Sequence, residues 1–263
     1  MRHAQLADTG VLPSAAGIRR GTDPVVTPAP APAARTSVRV RSALASVEAA
    51  AVAGIICAAG WSIGLRGLLA TPAIDADAEE IRSFYADPAN LPNALVLLQV
   101  VALATLAFLW FIGVVRGRLG DAEPRLFGTV FLGGGILVAG LVLAGTAALA
   151  APSVLVALGG PTPEPEDVGL TRALAVGLLA VFAPRAATLV ILSTAALGRV
   201  TRALPRWLVW LSYVVGIAEF VNVTVSTPTI YVFPAWIALV SVVLLVRRPT
   251  LAPVGTARSD TPR

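Results

Sequence analysis

The chain has 263 residues, of which 56% are hydrophobic and 13% charged, with a formal net charge of +5 and a mean hydropathy of +0.80. A soluble domain carries about a quarter of its residues as charges, so a water-soluble globular fold is a poor fit. All twenty basic residues are arginine, the one histidine is His3 and the one cysteine is Cys57. That set leaves no lysine for a Schiff base or P-loop, no histidine pair for haem or zinc, no Ser-His-Asp triad and no internal disulfide. The expectation is therefore a non-enzymatic chain without cofactor or metal.

Residues 1–42 contain GTDPVVTPAPAPAARTSVRVRS, rich in Pro, Ala and Thr and without a helical period. They are expected to be a disordered cytoplasmic tail. Residues 43–248 are expected to form the transmembrane domain, and 249–263 a second disordered cytoplasmic tail. Six apolar blocks fall near 44–65, 94–115, 127–150, 172–197, 207–225 and 229–246, each about as long as a helix needs to cross hydrocarbon. The fold class read from this pattern is all-α and polytopic, with six transmembrane helices. Cys57 reads as a small apolar packing residue in the first.

Between the first two blocks lies TPAIDADAEEIRSFYADPANLP. Thr71 followed by Pro72 reads as a helix start, and Ile74, Ala78, Ile81 and Tyr85 recur at three- and four-residue steps. This predicts one short interfacial helix on the outer membrane surface. Its acidic residues read as a solvated face, because Glu80 stands where a calcium loop needs glycine. GGPTPEPEDVG, after the third block, reads as a plain connector.

Arginines set the threading. Sixteen of the twenty lie in the two tails and in the connections after the second and fourth blocks, against Arg66, Arg82 and Arg172 on the other side. Short arginine-rich loops stay in the cytoplasm, so both termini are expected there, in a cell (inner) membrane. The basic charge is accounted for by this threading and by anionic headgroups. The lipid bilayer is the expected partner and nucleic acid is not; a homo-oligomer or a membrane protein partner is left open.

The fourth block contains AVFAPRAATLVIL, with Pro184 and Arg185 among hydrocarbon side chains. Pro184 predicts a helix kink. Arg185 lies 13 residues after Arg172 and 14 before Arg199, which reads as mid-membrane. An arginine there costs about 2.5–3.5 kcal/mol on insertion scales and asks for a partner. Glu219, 13 residues after Arg206, falls at the same depth on the next helix, about 20 Å up. The expectation is an Arg185–Glu219 intramembrane ion pair. It would either fix helix register or take part in moving protons or small solutes, as in a transporter or channel. Asn222, Tyr213, Gln99 and Glu48 are candidates to edge a polar pocket, with interhelical hydrogen bonding as the plainer account. Gly60 and Gly64, and the pairs Gly135/Ala139 and Gly140/Ala144, read as close-packing steps.

The stretches SFYADPANL, FIGVVRGRLGDAE, LPRWLVWLSYVVG and FPAWIALVSVVLLVRRP resemble those of uncharacterised six-helix membrane proteins of high-GC actinobacteria. The resemblance covers about residues 44–248. It implies topology and a membrane location, and it carries over no catalytic residue. The leading expectation is a structural, accessory or sensing role; the alternative is the transporter or channel.

Overall fold

The computed structural model describes residues 32–119, 125–202 and 204–246. The predicted tail up to residue 31, and the C-terminal tail from 249, lie outside the described residues. The start of the first helix, residues 32–39, belongs to a unit separate from the rest of the described chain. That helix begins at Pro32, ahead of the expected boundary at 43.

Every regular element among the described residues is helical. In chain order these are α1 (Pro32–Leu69), α2 (Ala78–Ala86), α3 (Asn90–Leu119), α4 (Arg125–Ala157), α5 (Pro165–Val176), a π-helical turn (Gly177–Phe182), α6 (Ala183–Thr201), α7 (Arg206–Val221), a 3-10 turn (Thr227–Tyr231) and α8 (Val232–Val246). Five segments are long and apolar enough to cross a membrane: Glu48–Leu69, Asn90–Arg116, Gly128–Ala157, Pro165–Val200 and Thr227–Val246. The chain is thus a helical protein of membrane-embedded type.

The fifth expected span, 207–225, holds a helix shorter than its apolar block. α7 ends at Val221 after 16 residues, about 24 Å of helix. The cause is local. Asn222 takes the amide of Thr224 on its own side-chain oxygen at 2.9 Å, a turn that competes with the helix. Val223, Thr224, Val225 and Thr227 then follow as β-branched residues, which helices disfavour.

Small residues set the packing. A Cβ added at Gly60 would stand 2.6 Å from the Cβ of Ala104, and one at Gly64 would collide with Val101. The Gly60/Gly64 step therefore seats α3 on α1 within one chain. Gly135 meets Ile112 of α3, whereas Gly140 faces open space. An aromatic cluster joins α1, α3 and α8: Trp61 lies 4.9 Å from Phe108, and Phe233 lies 5.8 Å from Phe108 and 5.9 Å from Trp236 between ring centres. Both buried indoles find partners, Trp61 on Thr105 at 3.0 Å and Trp236 on Ser212 at 2.9 Å, as aromatic N–H groups do when buried. Trp61 is a core residue. Cys57 is fully buried beside this cluster.

α2 forms where expected but starts later. Its N-cap is Asp77, whose carboxylate accepts the amides of Glu79 and Glu80 at 2.9 and 2.8 Å. Thr71 instead donates to Leu68 O at 2.8 Å and closes the end of α1. The apolar face of α2 turns to protein: Ile81 is fully buried with Ala76 and Val168, and the Tyr85 hydroxyl lies 3.3 Å from Ser153. Burial raises the Tyr85 phenol above its usual range, and the Ser153 contact opposes this more weakly.

Candidate functional site at the α6–α7 interface

Proline explains the local shape first. Pro184 has no amide to donate and its ring presses on the carbonyl four residues back. The helix answers with the π-helical turn just before it, where the Ala183 amide reaches Leu178 O. The predicted disturbance at Pro184 is therefore a widened turn, a common way for a helix to absorb an interruption.

Arg185 follows at once, at the first turn of α6. Its Nη1 turns back onto Val181 O, and its Nη2 donates to Asn222 O at 2.6 Å. Asn222 is the C-cap of α7, where the last carbonyls lack intrahelical partners and the helix dipole is negative. The guanidinium caps that end. Two turns of contact follow below it: Thr188 donates to Gly216 O at 3.3 Å, and Leu192 packs where a Gly216 side chain would be, 2.7 Å from its ideal Cβ. Residues 185, 188 and 192 thus meet 222 and 216 in antiparallel register.

The expected Arg185–Glu219 ion pair does not form. The ion pair among the described residues is the exposed Arg82–Glu79 contact on α2. Arg185 and Glu219 are brought to the same interface, near enough for the charge of one to act on the other. The guanidinium nevertheless lies on backbone carbonyls. The physical reason is the early end of α7: a helix terminus offers an unpaired carbonyl just where the arginine reaches. Glu219 is 4% exposed, and its Oε2 is buried without a hydrogen-bond partner.

The predicted polar pocket is not assembled. Glu48 on α1 and Gln99 on α3 are exposed. Tyr213 packs against the core and makes an edge contact with Trp210 at 6.1 Å. It lies nine residues before Asn222 on α7, about 13 Å away along the axis. Asn222 acts through its backbone carbonyl and as a turn former. Among the described residues no three His, Cys, Asp or Glu side chains gather as a metal site would need.

Two features escaped the sequence reading. Arg172, read there as an interface marker, donates to Leu69 O, Thr71 O and Pro72 O at 2.8, 3.1 and 3.0 Å, so it caps the end of α1. Beside Arg185 an apolar groove of about 540 Å³ opens between α4, α6 and α7, walled by Leu137, Leu141, Phe182, Leu189, Ile217 and Phe220. A second, smaller cavity of about 20 Å³ lies between the π turn and the 3-10 turn, where Leu179, Pro184 and Thr229 meet.

Fold and site together define a membrane-type helical bundle in which arginines cap the C-termini of other helices. Compared with known proteins, the chain matches no family model, no curated protein and no solved structure.

Proposed function

We propose that the chain is a multi-pass protein of the cell membrane, with six crossings supplied by α1, α3, α4, the α5–α6 rod, α7 and α8. Its role in this reading is non-enzymatic: structural, accessory or sensing. Both termini lie in the cytoplasm, as the arginine distribution favours, and α2 lies at the outer headgroup level against α4 and α5. Membership of the actinobacterial six-helix group rests on the four quoted stretches alone. The observation that carries the role is the engagement of Arg185: its guanidinium holds the end of α7, so it supports α6–α7 register better than solute handling.

A second reading, proton-coupled movement of a small solute, draws on the buried, unpartnered Oε2 of Glu219, because ionisable groups in a membrane are functional candidates. Reconstituted liposomes separate the two. The first reading expects no solute-dependent or pH-driven flux in the parent and the same for Glu219→Gln. Flux that disappears in Glu219→Gln would replace it with the second. The threading is tested apart from this, by single cysteines placed in the 159–164 and 199–205 connections in a Cys57→Ala background. Only the former should react with an impermeant maleimide in intact cells.

A further inference from the structure

We propose that the groove between α4, α6 and α7 binds one anionic phospholipid, with its phosphate on Arg185 and one acyl chain along the apolar wall. The inference rests on the six-crossing reading, since it needs α7 in a bilayer, and it goes beyond the role assigned there.

Depth is the first argument. α7 measures about 24 Å, roughly 6 Å short of a typical hydrocarbon core. Beyond it the non-helical residues Val223 and Val225, 87% and 60% exposed, make no backbone hydrogen bond through their amides among the described residues. Bare backbone is not tolerated against acyl chains. The headgroup layer must therefore dip to the level of Asn222 on this side, and Arg185 is hydrogen-bonded to Asn222. The arginine that chain spacing puts in mid-membrane thus stands at the foot of a local depression reachable by a headgroup.

Charge is the second argument. Arg185 has no ion pair, and its two carbonyl bonds leave three of its five N–H donors without a partner among the described residues. It is only partly buried and belongs to the wall of the groove. Glu219 does not line that wall. A guanidinium without an ion pair at the wall of the groove favours an anion, and a phosphate diester accepts its forked donors well.

Shape is the third. From Arg185 to Leu192 the groove follows α6 for about 10 Å away from the dip, the direction an acyl chain takes from its headgroup. Its volume falls within the range of small-molecule sites.

The test uses the full-length protein in mild non-ionic detergent with equal amounts of phosphatidylglycerol and phosphatidylcholine of identical chains, read by native mass spectrometry. One phosphatidylglycerol should be retained over phosphatidylcholine by at least tenfold. Ile217→Trp, at a position 56% exposed whose side chain makes none of the cap hydrogen bonds, fills the groove and should lower retention at least tenfold. Arg185→Gln should abolish the headgroup preference; if it does not fold, Ile217→Trp carries the test. Glycerol phosphate should not displace the lipid, because the chain contributes to binding. Equal retention of the two lipids, unchanged retention in Ile217→Trp, or displacement by glycerol phosphate would overturn the proposal. An inverted threading would change the maleimide labelling and leave the lipid preference intact, whereas a lost preference with the expected labelling would tell against the groove alone, so the two failures are distinguishable.

Discussion

Arg172 and Arg185 stand 13 residues apart on one rod and do the same work in different surroundings. Arg172 gathers three carbonyls around the end of α1, beside the loop that leads to α2, in which Ile74, Asp75 and Asp77 are exposed. Arg185 holds one carbonyl at the end of α7 and one of its own helix, facing an apolar groove. The difference teaches that the number of bonds is a poor guide to their worth. Water can replace a lost donor at a loop, whereas a carbonyl released against hydrocarbon stays unsatisfied.

That contrast can be broken most sharply by removing each arginine. Arg185→Gln should destabilise the protein in detergent by about 2–4 kcal/mol, the scale of two charge-assisted bonds, read as a loss of thermal stability. Arg172→Gln should cost less, about 1 kcal/mol, because solvent takes over its acceptors. A larger loss at Arg172 would reverse the comparison. Asp77→Ala removes the cap of α2 and should cost about 1 kcal/mol, visible as faster proteolysis of the 70–90 region with the bundle intact.

The smallest effect concerns the region that Arg172 organises. The Tyr85 phenol is neutral when α2 is docked, because burial pushes its ionisation to higher pH. Docking is therefore fully supported below the ordinary phenol value near 10, and the support is lost as pH climbs through the raised one. Protection of the 78–86 amides from hydrogen exchange should fall at alkaline pH in the parent, and Tyr85→Phe should remove that step while leaving behaviour at neutral pH nearly unchanged.

The sequence made the helical, membrane-embedded character legible, because long apolar blocks and few charges report directly on the solvent a helix meets. It also pointed to a short helix through the spacing of Ile81 and Tyr85, and it set Arg185 and Glu219 at one depth on successive helices. The end of α7 was harder to read. Hydropathy runs on through Val221, Val223 and Val225 as if the helix continued, and the breakers there are Asn222 and the β-branched run, a weaker signal than a charge. Once that end is misplaced, the acceptor for Arg185 vanishes from view and Glu219 looks like its only partner. Arg172 was missed for the same reason. A carbonyl acceptor has no letter in the sequence, so pairing by residue type finds carboxylates and overlooks helix termini.

A double-mutant cycle tests this account most directly, using Arg185→Gln, Glu219→Gln and the double variant, with stability measured in one detergent. If the guanidinium caps α7 through carbonyls, Glu219→Gln alone should be close to the parent and the coupling energy should stay below about 1 kcal/mol, a charge effect across the interface without direct contact. A coupling of about 1–3 kcal/mol, the range of contacting charged partners, would contradict it and restore the direct ion pair.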